Sequence, residues 1–184
     1  MSIGEDEVAR LERIEAHLEI QQLPIRYAMA VDGRDVDAWV NLFVPDVDMG
    51  RRGRGREVLR AYIEPQIRQF YRSVHLICGH RVELVDSDIG RGAVYCRAEH
   101  EVGDRWIVMA ICYFDDYSRV DGEWFFERRQ ERHWYAADLN EPPQAARFDS
   151  WGTSPTSPAL PHNFPSWASF WASPAPPGSI TKFP

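Results

Sequence analysis

The sequence predicts an α+β fold in which N-terminal helices pack on one face of a curved, mostly antiparallel sheet. Three observations lead there. Apolar residues recur at helical spacing through the first third of the chain. After Ser73 the pattern changes to alternation with period two, in long segments separated by turn residues. The helices come first and the strands follow without interleaving, the order of segregated layers rather than of a parallel βαβ sheet.

Val8, Leu11, Ile14 and Leu18 form a helical stripe, and Ile20, Leu23, Tyr27 and Ala30 continue it. Pro24 either breaks this stretch or opens a second helix, because proline has no N–H to donate. Asp32-Gly33 closes the helix, with Gly33 suited to a left-handed position past its end. Asp35 is the expected N-cap of a short helix, Val36 to Phe43, stopped by Pro45-Asp46. A further helix over Glu57 to Phe70 contains Pro65, which is expected to kink or split it. Strands are expected over Val74 to Val85, Gly92 to Val102, Trp106 to Tyr117 and Glu123 to Trp134. The turns are Asp86 to Gly90, Gly103-Asp104 and Val120-Asp121-Gly122. The last three strands are joined tightly enough for an antiparallel meander.

A chain of 184 residues with 44% apolar content can bury a full core without disulfides or metals. Its net charge of −7 argues against a nucleic-acid binder or a basic membrane-surface protein. The N-terminus is acidic where a secretory signal would be basic, and the longest apolar run, Trp106 to Phe114, is too short to span a bilayer. A soluble, cytoplasmic protein is expected. Cys78, Cys96 and Cys112 fall in strands and form no CxxC pair, which fits reduced, buried thiols. Residues 1–140 read as the domain. Residues 141–184 read as an extension with ten of the thirteen prolines. That extension also carries Phe148, Trp151, Phe164, Trp167, Phe170 and Trp171, so it is expected to dock on the domain or on a neighbouring subunit.

His100 interrupts an apolar row. Val94, Cys96, Ala98, His100 and Val102 share one face of a strand, and an inward imidazole must find a partner or line a cavity. Tyr27 and Asp32 sit near the end of the helix, where both can face one cavity. Asp32 fits equally well a plain Asp-Gly turn. His75 opens the first strand between two apolar neighbours, so its face is ambiguous, and Gly79 is a candidate bulge that switches the register. His80, next to Arg81, is expected near the sheet surface. The run Arg128 to Tyr135 is expected to be mostly solvated, with Arg132 or His133 as the residue that turns inward. No HExxH or CxxC spacing supports a metal site, and no GxSxG, P-loop or Rossmann turn is present.

Two local patterns resemble a known family. The first runs from Arg26-Tyr27 through Asp32-Gly33-Arg34-Asp35 to Trp39, then Leu42-Phe43-Val44-Pro45-Asp46. The second is Val74-His75 opening a strand, with Ala98-Glu99-His100 on the next. Together they resemble the SnoaL-like branch of the nuclear transport factor 2-like superfamily. Asp32, His75 and His100 narrow the likeness to scytalone dehydratase, bile acid 7α-dehydratase and hexachlorocyclohexane dehydrochlorinase. The resemblance implies a cone-shaped α+β barrel around a pocket, elimination of water or HCl without a cofactor, and a homo-oligomer, usually a trimer. It implies that His75 is a general base oriented by Asp32, that Tyr27 is a pocket tyrosine and that His100 is a second catalytic histidine. Arg132 or His133 falls near a pocket arginine, and Trp39 and Tyr113 are expected to contact substrate. Val31, Gly50, Ile111 and Tyr113 replace groups that bind scytalone, so scytalone itself is not the expected substrate. The sequence reading is therefore a lyase for a small, largely apolar cyclic compound. A double-bond isomerase and a noncatalytic binding protein of the same fold are the alternatives.

Overall fold

The computed structural model describes residues 4–140, together with Ala168 and Ala172. Helix α1 (Glu5–Asp32) is followed by α2 (Val36–Val40), a short 3₁₀ turn at Gly50–Arg52 and α3 (Arg56–Ile67). Four strands follow: β1 (Ser73–Leu84), β2 (Ile89–Val102), β3 (Arg105–Val120) and β4 (Glu123–Asp138). They pair antiparallel in the order β1-β2-β3-β4, a curved meander that does not close on itself. The expected α+β class stands.

Helix α1 is one continuous element of 28 residues with Pro24 inside it, not two helices. The missing N–H removes one helical bond, but Ile20, Leu23, Pro24, Tyr27, Ala28 and Val31 are buried together, so packing holds the helix through the proline. The stripe Val8, Leu11, Ile14 and Leu18 is exposed, and burial begins only at Ala16. Gly33 is not the left-handed residue at the helix end. Its φ is −79°, and Arg34 takes the positive angle of 59°. Gly33 is needed for a close approach instead, since a Cβ there would lie 2.9 Å from the Met29 carbonyl. Asp35 caps α2 as expected, accepting from the Ala38 N–H at 2.9 Å. The chain after α2 runs against the sheet: Val44 N–H donates to Phe126 O and Phe126 N–H to Leu42 O. Pro65 lies within the last turn of α3 without splitting it.

Register decides which side chains face α1. Between Ile77 and Gly79 the β1–β2 ladder shifts by one residue, so Cys78 is extra, as expected of a bulge beside Gly79. The bulge leaves Cys78 exposed, while Cys96 and Cys112 are buried. It also turns His80 to the concave face, against the surface position expected for it. Two further shifts on β4 leave Glu127 and Trp134 as the extra residues. Trp124 and Phe126 therefore share the inner face with Arg129, Glu131 and His133, and Ala136 returns to it beyond the second bulge. Among the described residues no helix is long and apolar enough to cross a membrane. The proline- and aromatic-rich segment from residue 141 onward otherwise lies outside the described residues.

One end of the concave face is closed by a buried ion pair. Arg129 donates to both Asp115 oxygens, at 2.9 and 2.7 Å, and neither side chain is more than 4% exposed. The guanidinium carbon lies 4.2 to 4.4 Å from the ring centres of Tyr27, Tyr113 and Phe126. Burial alone would lower the Arg129 pKa, but Asp115 more than reverses this, and the group stays charged. Tyr117 donates to Asp115 at 2.9 Å and contacts His80 Nε2 at 2.9 Å. Since the tyrosine proton goes to Asp115, His80 Nε2 carries the hydrogen in that contact. Gly92 makes room for this chain: a Cβ there would lie 2.9 Å from the Tyr117 ring and from the Arg81 carbonyl.

Arg129→Met is expected to destabilise the fold by about 3–5 kcal/mol, because it leaves Asp115 charged and unpaired in the interior. Urea denaturation at pH 7 measures this, and a loss under ~1 kcal/mol would show that the pair does not support the structure.

Candidate active site

The site begins where α1 ends. Asp32 is the last residue of the helix, and its carboxylate meets the first residues of β1. Its Oδ1 accepts from Ser73 Oγ and His75 Nδ1, both at 2.7 Å, and its Oδ2 accepts from the His75 backbone N–H at 2.8 Å. The tautomer follows. With Nδ1–H donated to a carboxylate, the lone pair of the His75 ring lies on Nε2. Burial by itself raises the Asp32 pKa, but the hydrogen bonds from His75 and Ser73 more than offset it, and the carboxyl sits below its ordinary value. Arg34 reinforces the junction. It donates to Ser73 Oγ at 2.9 Å and to the carbonyls of Phe70 and Tyr71.

His100 stands across β2 from this pair. Its ring meets His75 edge-on at 5.4 Å between centres and Phe70 at 4.5 Å. It is 4% exposed. Burial, and secondarily the nearby His75, push its pKa down to about 4, so it is neutral at pH 7. Tyr27 lies 6.4 Å from the His75 ring, 5.5 Å from Trp39 and 5.9 Å from Tyr113. Burial raises the Tyr27 and Tyr113 pKa values, so both are neutral phenols. The structure thus brings Asp32, His75, His100, Tyr27, Tyr113, Trp39 and His133 to the concave side of the sheet. Trp39, at 3% exposure, is packed within the core.

Arg132 is not among them. It pairs with Cys112 across β3–β4, on the face opposite Tyr113 and Ile111, and its guanidinium turns back to the Glu131 carbonyl. Of the two residues proposed to turn inward, His133 does so. The charged run was expected to be solvated, yet Arg129, Glu131 and His133 all face inward. Glu131 escaped the sequence reading. Its Oε1 lies against His133 Nε2. It keeps 41% of its side chain exposed, while Arg129 and His133 on either side of it keep 4% and 3%. Burial favours the neutral acid, but the contact with His133 holds Glu131 below its ordinary pKa. The signal for it was weak, because the Glu127 bulge reverses the alternation set by Trp124 and Phe126. Among the described residues no group of three histidine, cysteine or carboxylate side chains is placed to hold a metal ion.

The model of the SnoaL-like domain matches residues 12–130. The chain belongs to the SnoaL-like domain family. Solved structures share its fold. A type-3 hexachlorocyclohexane dehydrochlorinase from Novosphingobium barchaimii is 23% identical, with a TM-score of 0.64 over 72% of this chain and 96% of that one. A candidate scytalone dehydratase from Novosphingobium aromaticivorans is 20% identical, with a TM-score of 0.62 over 72% and 93%. A Mycobacterium tuberculosis protein of unknown function is 25% identical, with a TM-score of 0.60 over 79% and 83%. No curated protein matches the chain. In this SnoaL-like domain the match runs from within α1 to within β4.

The histidines make stability pH-dependent. His100 and His80 both have folded pKa values near 4, below the ordinary 6.5. The unfolded chain therefore binds more protons between those values, and stability falls as pH drops from about 6.5 to about 4. Urea midpoints measured across that range are expected to decline in the wild type and to decline less in His100→Gln. Equal slopes in the two proteins would show that His100 is not the buried neutral group described here.

Proposed function

We propose that the protein is a cofactor-independent lyase acting on a small, largely apolar cyclic substrate. The observation that carries this reading is the Asp32–His75 hydrogen bond, which leaves Nε2 of a buried imidazole as a base. Elimination needs little else. His75 Nε2 takes a proton from carbon, the C–H electrons form the double bond, and the bond to the leaving group on the adjacent carbon breaks with its electron pair, releasing chloride or a hydroxide that takes the proton back from the His75 imidazolium and leaves as water. Asp32 holds the ring and stabilises the imidazolium that forms. His100 is neutral at pH 7, so it serves as a hydrogen-bond donor to the departing oxygen or halide rather than as a stored imidazolium. Tyr27, also neutral, is a second donor. The dehydrochlorinase and dehydratase names among the structural neighbours agree with this chemistry. On the same reading the chain is cytoplasmic and homo-oligomeric, a trimer by preference, with residues 141–184 docked on the domain or a neighbouring subunit.

The test is turnover on a panel of cyclic alcohols and chlorinated cyclohexanes, each with an acidic C–H beside the leaving group, followed by mass spectrometry. Products lighter by water or HCl are expected. His75→Ala is expected to lower kcat roughly 10²–10⁴-fold, and Asp32→Asn to follow it, with thermal midpoints near that of the wild type. Wild-type turnover in both variants would remove the base assignment, and a product of unchanged mass would identify an isomerase.

A further inference from the structure

We propose that Glu131 and His133 form a second polar pole of the site, where Glu131 receives a hydrogen-bond-donating group of the substrate, a hydroxyl or an ammonium. The inference deepens the reading above and rests on the concave face being the substrate site. Glu131 projects from β4 opposite Tyr113, between two closed neighbours, yet water reaches it. Asp115, the structural carboxylate of this face, is sealed by its arginine, whereas Glu131 is not. His133 Nε2 lies against one Glu131 oxygen, Oε1, while 41% of the Glu131 side chain stays accessible.

Charge narrows the ligand class. Asp32, Glu131 and Asp138 are accessible carboxylates on this face; Asp138 is paired with Arg105 at its far end. Asp32 and Glu131 each contact a histidine, and among the described residues neither makes an ion pair with an arginine or lysine. Arg129 is committed to Asp115, and Arg34 reaches Asp32 only through Ser73. Arg129 and Arg105, arginines on this face, are each paired with a carboxylate, so an anionic substrate would meet surplus negative charge. β1 and β4 are three strand spacings apart, about 14 Å along a flat sheet. Tyr27 spans the interval: its ring lies 6.4 Å from that of His75 and 5.9 Å from that of Tyr113, which stands opposite Glu131 across β3–β4. A substrate lying along Tyr27 would set its acidic C–H at His75 and its donor group toward Glu131.

Isothermal titration with benzylamine, benzyl alcohol and benzoate tests this without requiring turnover. In the wild type the amine and the alcohol are expected to bind at least about tenfold tighter than benzoate, equivalent to ~1.4 kcal/mol. Glu131→Gln is expected to weaken benzylamine by about tenfold and to erase its lead over benzoate, whereas Glu131→Asp keeps the ranking. His75→Ala is expected to leave the ranking intact, so failure of the lyase reading and failure of this one are separable. Benzoate equal to benzylamine in the wild type, an unchanged ranking in a folded Glu131→Gln, or no binding of any probe would overturn the proposal.

Discussion

Everything at the α1–β1 end of the concave face depends on one carboxylate at the junction of α1 and β1. Asp32 accepts three hydrogen bonds from two residues of the strand, one of them a backbone N–H. Those bonds dock the helix end on the sheet, and the same bonds choose the tautomer of His75 and its aim. Holding a charged group away from bulk water opposes folding unless donors surround it, and here they outweigh the penalty. Architecture and chemistry therefore share one interaction. Ser73 sits between Asp32 and Arg34, so the loop after the helix is drawn into the same network.

The concave face has a closed half and an open half, and they treat carboxylates in opposite ways. Asp115 is sealed between Arg129 and Tyr117 and acts as a strut in the core. Its partner guanidinium fills the space between three aromatic rings, which its charge attracts. Asp32 and Glu131 keep 26% and 41% of their side chains accessible and lean on histidines. A sealed ion pair has no proton to exchange with a ligand. A carboxylate–imidazole pair beside water does, which is the physical ground for seeking the proposed site in the open half.

The layer order was legible in the amino-acid pattern, and so was much of the site. Period-two alternation placed His100 correctly in the apolar row Val94 to Val102, and Gly79 marked the bulge on β1. Asp35 announced its own helix. The reading failed where a local rule met a tertiary contact. Pro24 should interrupt a helix, but five neighbouring residues buried with it hold it in line. Gly33 should turn left-handed, yet its lack of a side chain serves the approach to Met29 instead.

Composition and periodicity determined the fold class, the inward histidine and the acidic residue at the helix end, because each rests on chemistry within a few residues of itself. Only the tertiary structure decided which charged residues of β4 face the site. Alternation carries parity forward from Trp124 and Phe126, and one inserted residue at Glu127 inverts it for Arg129, Glu131 and His133. That insertion is defined by the pairing of β4 with β3, a relation between distant segments that no local pattern encodes.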